Sequence, residues 1–160
     1  MSMTNELQIE SSVESFAQIA QRYCDWAESP FGDANNEMHI ARRFLAELHL
    51  AVITLPDLES DDTECVDLSD EWKLVLSRFQ NLPVDGYWDV FYPLELEKEE
   101  PVFNMLSDDL SDIYRDLKDG LVLYKKGKIA EAVRKWKFHF DIHWGAHLTG
   151  AQRAIHAYFS

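Results

Sequence analysis

The length, composition and charge of this chain exclude several classes of protein. Its 160 residues include 46% hydrophobic and 12% aromatic residues, enough to bury one substantial core and too many for a disordered tail. The formal net charge of −14 at pH 7 argues against nonspecific binding to nucleic acid or anionic membranes, because their phosphates would be repelled. We therefore expect a single domain, spanning residues 1–160, that binds neither nucleic acid nor membrane.

The N-terminus and the cysteines indicate a cytoplasmic protein. The first twelve residues combine neither a basic start nor an apolar run, so they are not expected to form a signal peptide. No apolar stretch of the sequence reaches membrane-spanning length. Cys24 and Cys65 lie far apart and match no metal or redox spacing, so reduced thiols are expected.

Apolar spacing and helix caps predict three helices in the first half of the chain. After a flexible N-terminal segment (1–11), the first helix is expected at about 12–28 and the second at about 34–55. An acidic loop without lysine or arginine follows at 57–68, and its composition is typical of a mobile connector. A short third helix is then expected at about 69–82.

An aromatic segment at 87–94 breaks the helical pattern. Its β-forming residues and Pro93 predict an extended conformation. The segment either packs under the core, which we favour, or presents a sticky surface. In the second case, Trp88, Phe91 and Tyr92 would form the surface for a protein partner or for a second copy of the chain.

The last third of the chain predicts a helical hairpin. A helix at about 108–124, a turn at Lys126-Gly127 and a helix at about 130–158 should form antiparallel neighbours, with a kink or break at Gly145 or Gly150. Three aromatic residues of the last helix should be largely buried, namely Trp136, Phe140 and Trp144. The expected fold is an all-α bundle of five or six helices, with the extended aromatic segment packed on a long C-terminal antiparallel hairpin.

Three histidines of the last helix are four residues apart, a spacing that places side chains on successive turns. On a helical wheel His147 falls on the apolar face, His143 lies at its border, and His139 points away into solvent. Two imidazoles at this spacing can share a metal ion. A site built from all three histidines is not expected.

Aspartates on the preceding helix complete a candidate site. Asp109, Asp112 and Asp116 share one edge of that helix, and counting outward from the turn brings position 109 level with His143. Together with His143 and His147 they could bind a divalent metal, with Asp109 and His143 as candidate ligands, or serve as an acid–base pair. Alternatively, the acids stabilise the start of their helix and His147 is a hydrogen-bonded core residue.

Several motifs resemble one protein family. They are Asp-Leu-Ser-Asp-Ile-Tyr-Arg-Asp-Leu at 109–117, Trp-Lys-Phe-His-Phe at 136–140, His-Trp-Gly-x-His at 143–147 and the aromatic segment. In combination they resemble a bacterial family of the domain-of-unknown-function series, number 5063. The resemblance implies a small cytoplasmic helical domain without an established activity, so it assigns no catalytic residue.

Two functions stay open at this point. The first is a non-enzymatic binding or regulatory module that uses the aromatic segment, or the basic surface of the hairpin, for a protein partner and needs no cofactor. The second is a metal-dependent or acid–base enzyme with its Asp/His site between the last two long helices. The basic hairpin surface comprises Lys125, Lys126, Lys128, Arg134, Lys135 and Lys137, and the chain's own carboxylates are expected to balance it.

Overall fold

The computed structural model describes residues 2–61, 64–97 and 100–160. Within these ranges six α-helices, one π-helical turn and a two-stranded sheet form a bundle, which confirms the all-α class. In chain order the elements are α1 (Met3–Glu28), α2 (Ala34–Ile53), α3 (Ser69–Phe79), β1 (Gly86–Asp89), β2 (Val102–Met105), α4 (Leu106–Lys125), α5 (Ile129–His139), the π turn (Phe140–Trp144) and α6 (Gly145–Phe159).

Helix α4 is the centre of the bundle, because it packs against α1, α3, α5 and α6. Its apolar residues Leu110, Ile113 and Leu117 are fully buried. Four aspartates on the same helix are also buried, although a charged group away from water normally requires a partner. They are Asp109, Asp112, Asp116 and Asp119.

The hairpin of α4 with α5 and α6 is held together by indole rings. Trp136 packs so closely on α4 that a Cβ atom at Gly120 would overlap its ring, and its Nε1 donates to the carbonyl of Leu117 at 3.1 Å. Trp144 is fully buried and its Nε1 donates to the carbonyl of Trp136 at 2.9 Å. Both indoles were expected in the core, whereas Phe140 is only partly buried.

The last helix is interrupted next to Gly145, one of the two expected positions, but by a π turn that the sequence did not predict. The π turn lies between α5 and α6, and Gly145 begins α6 directly after it. A Cβ atom at residue 145 would come within 2.4 Å of the carbonyl oxygen of Phe140, so the tight backbone here requires glycine. Gly150 causes no break, because it lies inside the continuous helix α6.

Helix α1 begins at Met3, nine residues before the expected start at residue 12. The expected flexible segment 1–11 is therefore helical from Met3 onward, with mostly exposed side chains. No proline or glycine interrupts this stretch, and Glu6, Leu7 and Glu10 are good helix formers. Met1, which belonged to the same prediction, lies outside the described residues.

Acidic residues after α2 neutralise much of the basic hairpin surface. The Nζ atoms of Lys126 and Lys128 lie 2.5 Å and 2.9 Å from the carboxylate of Glu64. Lys137 reaches Asp57 at 2.5 Å. Asp62 and Thr63 of the predicted acidic loop lie outside the described residues. An acidic partner would have to displace these ion pairs.

The start of the aromatic segment lies in β1, which pairs with β2 in a two-stranded antiparallel ribbon that places Trp88 opposite Phe103. Its inner face packs on α6, because Gly150 leaves room for the Tyr87 hydroxyl and the Asp89 carboxylate. Its outer face carries Trp88 and Phe103, whose ring centroids are 5.5 Å apart. Between the two strands the chain is rich in glutamate, and its residues 98 and 99 lie outside the described ranges.

No helix in the described ranges combines the length and the apolar character needed to cross a membrane.

Replacing Trp144 by alanine should lower the free energy of unfolding by about 3–5 kcal/mol, since it removes a fully buried indole and leaves a cavity. Urea unfolding followed by far-UV circular dichroism measures the loss. Trp88→Ala, at an exposed position, is the matched control and should cost less than about 1 kcal/mol. Equal losses in the two variants would contradict the assignment of Trp144 to the core.

Candidate functional site

The five predicted site residues meet where α4 lies against the π turn and α6. His147 Nδ1 lies 2.8 Å from Asp109 Oδ1, and His143 Nδ1 lies 2.6 Å from Asp116 Oδ2. A carboxylate can only accept, so both Nδ1 atoms carry a hydrogen and donate it. Each histidine is thereby held in one orientation by its own aspartate on α4.

The fifth residue, Asp112, lies between the two imidazoles. Its Oδ2 is 3.2 Å from His147 Nε2 and 3.6 Å from His143 Nε2. Its other oxygen, Oδ1, accepts a hydrogen bond from Trp72 Nε1 at 2.8 Å and lies 3.0 Å from Arg115 Nη2. One oxygen of Asp112 is therefore fixed by α3 and α4, and the other faces both histidines.

Asp112, His143 and His147 have the geometry of a metal-binding group. One potential ligand atom from each lies within 4.8 Å of the other two. Ligands bound about 2.1 Å from a tetrahedral metal are about 3.4 Å from one another, which falls between the 3.2 Å and 3.6 Å separations of the two Nε2 atoms from Asp112 Oδ2. The other ring nitrogen of a metal-binding histidine usually donates to a carboxylate, as both Nδ1 atoms do here.

Asp109, which the sequence suggested as a ligand together with His143, has a different position. Its Oδ1 accepts from His147, and its Oδ2 accepts from the Tyr87 hydroxyl at 2.5 Å. Both oxygens are therefore occupied, and Asp109 orients His147. Position 109 is level with 147 rather than 143, because the π turn and the turn after Lys125 displace the two helices by about one α-helical turn.

His139 is also placed differently from the prediction that it points away into solvent. Its Nδ1 lies 3.7 Å from Asp116 Oδ1, and its side chain is 29% exposed. The wheel assumed one continuous α-helix, but a π turn contains an extra residue and rotates the residues before it by about 100°. Asp116 therefore contacts both His139 and His143.

Burial and neighbouring charges shift the protonation of the site in specific directions. Burial raises the pKa of Asp109, and the hydrogen bonds from His147 and Tyr87 offset this only in part. Burial would lower the pKa of His147, but the hydrogen bond to Asp109 and the nearby carboxylates outweigh it and raise that pKa. Burial would raise the pKa of Asp116, but its contacts with His139 and His143 lower it.

One further aspartate faces the same region. Asp108 lies in the first turn of α4 and lines the cleft next to the histidines. Burial, and then the charge of Asp112, raise its pKa above the ordinary value. The site therefore contains more carboxylates than imidazoles, an electrostatic environment that favours a bound cation.

A cleft of about 1120 Å³ opens between the ribbon and the helix that carries the histidines. The wall from the ribbon includes Trp88, Asp89, Phe91 and Asn104, and the opposite wall includes Ile142, Thr149, Gln152 and Arg153. His143 and His147 lie in the wall formed by the π turn and α6, with side chains 35% and 23% exposed. The two imidazoles can therefore be reached by a small molecule from solvent.

Sequence reasoning missed Tyr87 and Trp72, which support the site from outside the hairpin. Tyr87 belongs to the aromatic segment, whose alternation of inward and outward residues indicates which side chains can reach α4. Trp72 belongs to α3. Because the contacts of both residues with α4 are long-range, helical spacing alone does not reveal them.

The fold and site define a helical-bundle protein with an Asp/His cluster in an open cleft. The chain belongs to the family described as domain of unknown function DUF5063, whose model matches residues 8–160. This confirms the family resemblance of the sequence motifs. No curated protein matches the chain.

A solved structure shares the fold. The crystal structure of protein BF1032 from Bacteroides fragilis superposes with a TM-score of 0.76, at 22% sequence identity, over 91% of this chain and 93% of that chain. Similarity at this level of identity establishes the architecture of the bundle. It does not transfer a function.

The raised pKa of His147 predicts a pH dependence of stability in protein stripped of metal with a chelator. The folded structure raises the pKa of His147 above its ordinary value of 6.5. The folded state therefore binds this proton more tightly than the unfolded chain does. Its stabilising contribution is therefore full below that value and is lost as pH rises through the higher folded-state pKa. His147→Gln should destabilise the protein more at about pH 6 than at about pH 9.

Urea unfolding at the two pH values measures this difference. His156→Gln, at an exposed position on α6, is the matched control and should change stability little at either pH. If His147→Gln lost as much stability at the higher pH as at the lower, the protonated His147–Asp109 pair would be ruled out.

Proposed function

We propose that this domain binds a divalent transition metal through Asp112 Oδ2, His143 Nε2 and His147 Nε2. We further propose that the metal centre is the active site of an enzyme acting on a small molecule in the cleft. The observation that carries the proposal is the convergence of these three atoms, with both Nδ1 atoms already donating to Asp109 and Asp116.

Three acceptors that meet at one place need a proton or a metal ion between them. With its hydrogen on Nδ1, a neutral imidazole offers a lone pair at Nε2. Both Nε2 lone pairs then face the Asp112 oxygen at 3.2 Å and 3.6 Å, an arrangement without a donor. Protons on the two Nε2 atoms, or one metal ion, would remove the repulsion. The metal does so without leaving two cationic imidazolium rings in contact, their centroids 4.8 Å apart.

The donor set narrows the choice of metal and of chemistry. Two imidazoles and one carboxylate suit zinc, iron(II), manganese, cobalt or nickel better than calcium or magnesium, which prefer oxygen ligands. Three protein ligands leave coordination positions for water or substrate, as in catalytic metal sites. A metal held in this way can polarise a carbonyl group or lower the pKa of a bound water.

Metal binding is tested by zinc affinity, measured by competition with a chromogenic chelator on protein purified without a histidine tag. The wild type should bind one equivalent, and His143→Ala, His147→Ala and Asp112→Asn should each weaken binding at least about 100-fold, because each removes a ligand. Asp116→Asn, which removes only the orienting hydrogen bond, should cost about 10- to 100-fold.

The control variant is His156→Ala, an exposed histidine of α6, and its zinc affinity should equal that of the wild type. Circular dichroism of every variant separates a lost ligand from a lost fold. One equivalent of zinc retained at wild-type affinity by folded His143→Ala and His147→Ala proteins would refute the proposed centre.

A second candidate function, binding of a protein partner or a second copy of the chain, is favoured by the outer face of the ribbon. Trp88, Phe91 and Tyr92 are 69%, 55% and 67% exposed, and Phe103 continues the patch beside Trp88. Clusters of exposed aromatic side chains are typical of interaction sites. None of these aromatic residues is a proposed metal ligand, so either function can fail without the other.

Sedimentation equilibrium tests the self-association form of the second candidate. If two copies associate through this face, Trp88→Ala should weaken the dimer about 30-fold or more, since buried tryptophans are typical hot spots. Leu50→Ala, at an exposed position on α2, is the control and should not change association. A dimer of unchanged affinity in Trp88→Ala would exclude this face as its interface.

A further inference from the structure

We propose that Asp108 is the proton acceptor for a water molecule activated at the metal centre, and that the reaction is hydrolysis of an uncharged carboxylic ester or amide. The inference rests on the proposed metal-binding function and adds a catalytic residue and a substrate class to it. Its basis is the position of Asp108, the absence of a hydrogen-bond or ion-pair partner for it among the described residues, and the charge of the cleft.

Asp108 lies on the same face of α4 as the proposed ligand Asp112. Asp108 and Asp112 are four residues apart on α4, so their side chains lie on neighbouring turns of one helix face. Both lie on the side of α4 that meets His143 and His147, and Asp108 lines the cleft together with the two histidines. The proposed role requires that this carboxylate, one turn from a metal ligand and on the cleft side, accept a proton from a water in an open coordination position.

Asp108 also differs from the other aspartates of α4 in having no partner. Asp109, Asp112, Asp116 and Asp119 each accept a hydrogen bond or form an ion pair with a neighbouring element. Within the described part of the chain, Asp108 makes neither. The helix dipole stabilises a carboxylate in the first helical turn. This interaction does not explain why Asp108 lies in the cleft, because it also operates when the side chain faces open solvent.

The charge of the cleft decides between classes of hydrolysable substrate. Among the described residues, its walls contribute the carboxylates of Asp89, Asp108 and Asp109 and the guanidinium of Arg153, and the whole chain has a formal net charge of −14. With a divalent metal ion and its ligand Asp112 included, these groups still sum to a net negative charge, which would repel a phosphate diester. An uncharged ester or amide avoids that repulsion, and its carbonyl oxygen can bind an open position of the metal.

The hydrolytic step balances without any further reactant. The water oxygen attacks the carbonyl carbon and forms the new C–O bond, while Asp108 takes the proton that the water releases. The tetrahedral intermediate then collapses and breaks the bond to the leaving alcohol or amine, which receives the proton from Asp108. The products are the carboxylic acid and the alcohol or amine, and Asp108 is again a carboxylate.

The experiment compares zinc-loaded and chelator-stripped protein in the hydrolysis of 4-nitrophenyl acetate. The difference between the two rates is the metal-dependent activity, from which hydrolysis by ordinary surface nucleophiles has been subtracted. Asp108→Asn should lower the metal-dependent kcat/KM about 100-fold, the lower end of what a positioned proton acceptor contributes. Its zinc affinity should stay within about twofold of the wild type, since no ligand is removed.

Two further variants make the result specific. Asp108→Glu keeps a carboxylate and should recover part of the activity that Asp108→Asn loses. Asp141→Asn, which changes an exposed carboxylate of the π turn outside the cleft lining, should retain full metal-dependent activity. Loss of the acidic limb of the pH–rate profile in Asp108→Asn would support a role in proton transfer over a structural role.

The outcomes separate the two proposals. If the wild type binds no zinc at the centre, the proposed function itself fails. If zinc binds but does not accelerate hydrolysis, or if Asp108→Asn keeps the full metal-dependent rate, the role of Asp108 is overturned while the metal site stands. A loss of zinc affinity of about tenfold or more in Asp108→Asn would show instead that Asp108 is a ligand.

Discussion

The need to pair the buried carboxylates of α4 governs this structure. Removing one partner from such a carboxylate would leave a buried charge without compensation, which is far more costly than losing a surface ion pair. The partners come from almost every element around α4: Tyr87 from β1, Trp72 from α3, Lys135 from α5, His143 from the π turn and His147 from α6. The carboxylates therefore help to fix the register of α4 against its neighbours.

Apolar packing of the surrounding helices explains why the candidate site lies beside the core. The indoles of Trp136 and Trp144 fix α5, the π turn and α6 on α1 and α4. With the helices in place, His143 and His147 have little choice of partner other than the aspartates of α4. The site is thus positioned by elements that owe their own stability to apolar packing, which is the usual basis of a preorganised centre.

Much of this arrangement could be predicted from the sequence, because it depends on spacings between residues that are close together in the chain. The apolar period predicted the bundle and the antiparallel hairpin, and three-to-four residue spacing placed Asp109, Asp112 and Asp116 on one edge opposite His143 and His147. The pairing within that set could not be predicted, because it depends on the π turn. The extra residue of the π turn rotates His139 toward Asp116, and together with the turn after Lys125 it shifts the register so that His147 meets Asp109.

The ribbon shows a second limit of sequence reasoning. The aromatic composition of residues 87–94 predicted an extended segment, and packing on the hairpin was favoured over surface exposure. Strand alternation allows both at once: Tyr87 and Asp89 face α6, while Trp88 faces outward. Which residues faced inward depended on the pairing with β2, a long-range contact that has no local pattern.

The central claim, that Asp112, His143 and His147 form a metal centre, is tested most directly by diffraction. Crystals grown with one equivalent of zinc and measured on both sides of the zinc absorption edge locate the ion without reference to activity. If these residues bind the metal, we expect one anomalous peak about 2.0–2.2 Å from Asp112 Oδ2, His143 Nε2 and His147 Nε2. A map with no peak there, and with both Nε2 atoms hydrogen-bonded to Asp112, would identify the cluster as an ion-pair network instead.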